Sequence, residues 1–157
     1  MDEHTAVERD EHFMRIAIDE AMVAGEHGDV PIGAVLVHDD EIVAKAHNAR
    51  ELLNDASAHA EMNVLRLGAE RHGDWRLDGF ELFVTLEPCP MCAGAIVAYR
   101  VRRLVFGAWN PRWGAAGSLY NITDDARLNH RVEIIRGVLA EECAKPLGDL
   151  FEGLRLA

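Results

Sequence analysis

Apolar and polar positions recur along the chain with two different periods, and the switches between them divide it into elements. Residues from about 8 to 27 space Phe13, Ile16, Ala17, Ala21 and Val23/Ala24 at helical intervals, which predicts an amphipathic helix closed by Gly25 and Gly28. IGAVLVHDDEIVAKAHN then reads as a β-hairpin, two strands around an Asp39-Asp40 turn. SAHAEMNVLRLGAERHG returns to a helical pattern, with Ser57 as the expected N-cap and Gly68 or Gly73 near its end. ELFVTLE predicts a third strand, and CPMCAGAIVAYR a helix with Pro90 in the first turn, where its missing N–H costs nothing. RLVFGA and VEIIRG supply a fourth and a fifth strand, separated by the Gly-rich loop WNPRWGAAGS and a polar segment. LAEECAKPLGDLFEGLRL predicts a terminal helix kinked or broken at Pro146. Strands that alternate with helices predict an α/β fold, three layers around one sheet, with residues 1–157 as a single domain.

Composition narrows the setting. A chain of 157 residues that is 49% hydrophobic and 27% charged has the balance of an ordinary globular protein. No stretch approaches the roughly 20 apolar residues of a membrane span. The opening MDEHTAVERDEHF is acidic and polar, unlike a secretory signal or an Arg-rich transit peptide. Three cysteines, an odd number without framework spacing, argue against a secreted disulfide scaffold and place the protein in a reducing cytoplasm. The net charge of −11 is unevenly spread. From Met1 to Glu41 there are 12 acids against 2 Arg, a balance of −10. From Pro88 to Thr123 there are no acids, and Arg100, Arg102, Arg103 and Arg112 give +4. The acid-free stretch is where a phosphate-bearing partner is expected to approach without repulsion.

Candidate chemistry centres on TLEPCPMC. Cys89 and Cys92, three positions apart at a strand-to-helix turn, can hold a metal, run redox chemistry or line a core. Helix-start N–H groups lower a thiol pKa there and favour metal-ligating thiolates. Upstream, AHAE places His59 and Glu61 at the start of another helix. Two residues apart inside a helix, their side chains point about 200° apart, so they reach one pocket only near the helix tip. One is then expected to bind metal and the other to act beside it. His59, Cys89 and Cys92 suit zinc, and three protein ligands leave a fourth position open, as in a catalytic site. Glu61 is the expected proton shuttle. A closed structural site with Cys143 as fourth ligand is the rival arrangement.

The H-x-E and P-C-x-x-C pair, with VPIGAVLV, LVFGA, GAAGSL, NHRVEI and GVLAEEC, resembles the cytidine and deoxycytidylate deaminase superfamily. Within it the chain is most similar to the bacterial branch that converts the wobble adenosine of a tRNA anticodon to inosine. The similarity runs from about His12 to Phe151. It implies a three-layer α/β/α cytidine-deaminase-like domain with a central mixed five-stranded sheet. It also implies one Zn²⁺ per subunit on His59, Cys89 and Cys92, no organic cofactor, Glu61 as proton-shuttling acid, and Asn48 in contact with the target nucleoside. The implied reaction is hydrolytic deamination at C6 of an adenine splayed out of the anticodon loop. The implied assembly is a homodimer with RNA contacts from both subunits.

Two departures stand out. Asn110 occupies a position where the bacterial pattern usually has aspartate, and the basic C-terminal helix of some relatives does not follow GLRLA. An acidic chain of this kind also suits deamination of a free base or nucleoside, guanine or cytosine/cytidine, and a zinc-stabilised binding module without activity is a third reading. Trp109 and Trp113 are expected to pack in the core or at a subunit interface, with base stacking the less frequent use. His47 and His130 are expected to have structural or surface roles, and the GAAGS glycines to form a tight turn.

Overall fold

The computed structural model describes residues 1–156, and Ala157 lies outside the described residues. Asp2 starts the first helix: its carboxylate accepts from the Thr5 amide at 2.9 Å and the Thr5 hydroxyl at 2.7 Å. Helix α1 therefore spans Glu3–Glu26 and begins before its apolar stripe does. Strands β1 (Gly33–His38) and β2 (Glu41–His47) form the expected hairpin. Asp39 and Asp40 both adopt positive φ, 49° and 63°, as a two-residue type I′ turn requires. A single turn, α2 (Arg50–Leu53), follows where no element was expected.

Helix α3 spans Ala60–His72, and Gly73 closes it at φ 80°, a left-handed cap that suits glycine. Ser57 is not its N-cap. The Ser57 amide and hydroxyl both donate to Asp55 Oδ1, a local turn that uses up the capping group. Gly68 lies inside the helix, where a Cβ would stand 2.1 Å from Leu36 Cδ2. Strand β3 (Glu81–Leu86), helix α4 (Pro90–Ala98), strand β4 (Arg103–Ala108), a 3-10 turn (Ile122–Asp124) and strand β5 (Glu133–Arg136) come next. Helix α5 spans Ala140–Leu156 and continues past Pro146, so the expected break does not occur. Cys143 on one side of the proline and Leu147 on the other are both packed against core, which offsets the ~3 kcal/mol a helical proline costs.

The sheet order is β2-β1-β3-β4-β5. β1 runs antiparallel to β2 and β3, while β3, β4 and β5 are parallel, giving the mixed five-stranded sheet. Alternate residues serve opposite layers. Ala34, Leu36, Leu82, Val84, Leu104 and Phe106 pack with Val64 and Leu65 of α3 and Ile96 and Val97 of α4. Val35, Val37, Phe83 and Val105 pack with Phe13, Met14 and Ala17 of α1 and Cys143 of α5. A one-residue slip in β3 would exchange these two buried faces, so the register is firmly set.

Ion pairs close the edge where β3 and β4 begin. Arg9 of α1 grips Glu81 through both terminal nitrogens, at 3.1 and 2.8 Å. Arg103 bridges Asp10 at 2.9 and 2.6 Å and Glu81 at 2.8 Å. Arg102 also reaches Glu81, at 3.2 Å. Arg100 turns back to donate to the Val97 carbonyl at 2.9 Å. The acid-free stretch thus does not assemble a basic patch: two of its four Arg are spent on acids about 20 Å from the far end of β3, given its six residues.

Burial opposes ionisation of Glu81, but hydrogen bonds and charge from Arg9 and Arg103 outweigh it and hold the carboxyl below its ordinary 4.5. A depressed carboxyl stabilises the fold fully above the unfolded value and loses that contribution as pH falls through the folded one. Glu81→Gln should therefore cost about 1–2 kcal/mol at pH 7, because partly buried Arg9 and Arg103 lose a shared partner while keeping Asp40 and Asp10. Urea melts should show the gap between variant and parent narrowing as pH drops below 4.5.

Candidate metal centre

Two helix starts meet beyond the last residues of β3. Cys89 is the N-cap of α4, held extended at φ −72° and ψ 172°, with Pro90 entering the first turn behind it. Cys92, one turn further on, is fully buried. His59 is the N-cap of α3, also extended at φ −72° and ψ 153°, and Glu61 lies in the first helical turn. Because His59 stands just outside the helix, the 200° separation of helical neighbours does not apply. His59 and Glu61 line one recess of about 130 Å³, together with Cys89, Asn48 and Trp113.

His59 Nδ1 lies 3.6 Å from Cys89 Sγ and 3.5 Å from Cys92 Sγ. One donor atom from each of the three residues falls within 4.8 Å of the others. A tetrahedral zinc ion, with bonds of about 2.0–2.1 Å to nitrogen and 2.3 Å to sulfur, separates those donors by about 3.6 Å. The donor set and spacing fit zinc. Cys143 is excluded as a fourth ligand: it sits in the α1/α5 layer against Gly107, with Sγ directed at the Val138 carbonyl. Burial pushes its thiol up to about 12, as expected of an inert core cysteine.

Hydrogen bonding from Cys92 is the main force on Cys89, joined by His59 and the Cys92 backbone N–H; against burial they hold its thiol at about 4. Cys92, as donor to that sulfur and buried, is pushed in the opposite direction. His59 is raised, first by its hydrogen bond to Cys89. The surroundings of Cys89 thus favour its thiolate, the form that a divalent ion binds. Burial raises the Glu61 carboxyl above its ordinary range, although nearby His59 acts against this. Such a carboxyl exchanges protons more readily near neutrality than an exposed glutamate does.

Asn48 is almost fully buried, and its Oδ1 accepts from the Ala60 amide at 2.8 Å. It thereby caps α3 in place of His59, whose imidazole stays free. No partner for Asn48 Nδ2 occurs among the described residues. His47 pairs with Glu20 at 2.8 Å and His130 with the Val101 carbonyl at 2.7 Å, both structural as expected. The tryptophans are not in the core: Trp109 is 49% and Trp113 53% exposed. Trp109 sets its edge on Phe106 and lines a neighbouring groove of about 570 Å³, with Phe151 and Arg112. Two lining residues went unread in the sequence. Arg50 belongs to the unexpected α2, and Glu87 is an acid enclosed in the apolar run of TLEPCPMC, a placement that itself signals dedicated donors.

The sequence matches the profile described as "Cytidine and deoxycytidylate deaminase zinc-binding region" over residues 7–108. The chain belongs to the cytidine and deoxycytidylate deaminase family. Members of this deaminase family with close sequences include the tRNA-specific adenosine deaminase of Bacillus subtilis, 52% identical over 147 residues, 94% of this chain and 91% of that one. A solved chain from work on A-to-I editing by tRNA:A34 deaminases superposes with a TM-score of 0.84 at 45% identity, covering 87% of this chain and 99% of that one. The guanine deaminase of Bacillus subtilis is more distant, with a TM-score of 0.61 and 27% identity over 97% of this chain and 95% of that one.

Metal content tests the assignment of donors. Purified protein should carry about one zinc per chain, and His59→Ala, Cys89→Ala or Cys92→Ala should lose most of it. Cys143→Ala should retain it in full. Elemental analysis of the desalted parent and its four variants reads every outcome.

Proposed function

We propose that this protein is a zinc-dependent hydrolase that converts adenosine to inosine at the wobble position of a tRNA anticodon. One combination supports this reading above all: the His59, Cys89 and Cys92 donors beside buried Glu61, in a chain 52% identical to a tRNA-specific adenosine deaminase. Bound on those donors, zinc supplies a Lewis acid that lowers the pKa of water from 15.7 to about 7.

The remaining work falls to side chains. Glu61 takes one proton from water and gives it to the ring nitrogen N1, then carries the second proton of that oxygen to the departing amine. The oxygen of water replaces that amine at C6, and ammonia leaves. Asn48 orients the base through Nδ2, since its Oδ1 is committed to Ala60. The recess has room for one base, so the target must leave its stack, which costs little in an unpaired anticodon loop. Exposed Leu119, Tyr120 and Leu128 provide apolar surface for the homodimer that the family resemblance implies. No helix among the described residues is long and apolar enough to cross a membrane.

The likeness to guanine deaminase and the net charge of −11 favour a second reading, deamination of a free base. Mass spectrometry separates the two. Incubation with an anticodon stem-loop carrying wobble adenosine should yield inosine, while free guanine and cytidine release no ammonia. Ammonia from a free base with an unmodified stem-loop would reverse the assignment. Glu61→Gln should keep its zinc and lose activity by about 10²–10⁴-fold.

A further inference from the structure

Glu87 is 1% exposed, two residues before Cys89, and every hydrogen-bond partner of its side chain among the described residues comes from one loop. Oε1 accepts from the Asn110 amide at 3.1 Å. Oε2 accepts from the amides of Ala116 at 3.1 Å and Ser118 at 2.9 Å. The Ser118 hydroxyl donates to Oε1 as well. Gly114 presses on the carboxylate so closely that a Cβ there would lie 2.3 Å from Glu87 Cδ. Residues 110–118 are thus wound around a buried anion, as backbone nests wind around phosphates, except that here the anion is a side chain of the same protein. The wound loop is what brings Asn110 and Trp113 to the wall of the recess that His59 and Glu61 also line. Glu87 and Cys89 are joined through Pro88, whose carbonyl accepts from the Ala115 amide at 2.8 Å. One short segment therefore fixes both the metal-side turn and the mouth of the site.

We propose that Glu87 is a positioning residue for the substrate, holding the 110–118 loop as a preformed wall of the recess without contributing to metal binding or proton transfer. This rests on the deaminase reading above and adds to it the device that sets substrate affinity.

Glu87→Gln tests it, because glutamine keeps the shape but places an NH2 donor among N–H donors that need an acceptor. With the stem-loop substrate, KM should rise about tenfold or more while kcat falls much less, as for lost binding that is common to ground and transition states. Zinc content should stay at the parental level. Hydrogen exchange should speed up at the Asn110, Ala116 and Ser118 amides and stay unchanged in β1, β3 and β4. Ser118→Ala, which removes one donor only, should shift KM and exchange in the same direction by less. An unchanged KM with unchanged loop exchange overturns the proposal, and so does exchange that rises equally throughout the sheet with zinc lost. Should Glu87→Gln fail to fold, Ser118→Ala decides on the same two readouts. If the parent forms no inosine, the substrate reading fails, and exchange in the loop still accepts or rejects Glu87 as its anchor.

Discussion

A buried helix start needs acceptors for its first N–H groups, and at this site the same few residues meet that need and gather the metal donors. Cys89 stands as the N-cap of α4, where the nearby Cys92 backbone N–H helps to lower its thiol. The Ala60 amide of α3 is taken by Asn48 Oδ1, which spares the His59 imidazole from capping. Both helix dipoles then point their positive ends at one small volume, where the Cys89 sulfur and a buried carboxyl lie. Remove either helix start and the donors separate. The constellation is therefore a property of two backbone termini held at one edge of the sheet, more than of four side chains in isolation.

Charge is divided between the two ends of the strands. At the end where β3 and β4 begin, Arg9, Arg102 and Arg103 meet Asp10 and Glu81 and tie α1 to the sheet. At the other end lie the catalytic candidates, Glu61 with its carboxyl raised by burial, and Glu87 satisfied by three backbone amides and the Ser118 hydroxyl. The strong ion pairs are thus kept away from the recess, where a mobile Arg could compete for the carboxylates. The cost is that few basic side chains are left near the mouth, chiefly Arg50 and Arg112.

Much of this was legible in the residues. Asp39-Asp40 specified its turn because adjacent positive φ angles admit few residue types, and the hairpin followed. His59, Cys89 and Cys92 were readable as one cluster because a metal site constrains donor type and spacing together, and the fold does bring their donor atoms within 4.8 Å of one another. Ser57 misled because a local bond to Asp55 competes for the same hydroxyl and amide, and only the fold shows which wins. The arginines of the acid-free stretch misled for a related reason: their partners, Asp10 and Glu81, are 93 and 22 residues distant from Arg103. Trp109 and Trp113 are half exposed, which composition does not foretell, since large aromatic rings are more often buried. Long-range pairing is what sequence pattern conveys least.

Pro146 has a mechanical consequence. Lacking an N–H, it leaves the Glu142 carbonyl without its rung in the ladder of α5. The turns before it are anchored in the sheet through Cys143, while those after it present Phe151 and Leu154 to the groove beside the recess. Leu147, directly after the proline, still packs on the core, so the helix crosses the missing rung without a break. One wall of that groove is therefore a helix segment held by side-chain packing where the backbone ladder has a gap.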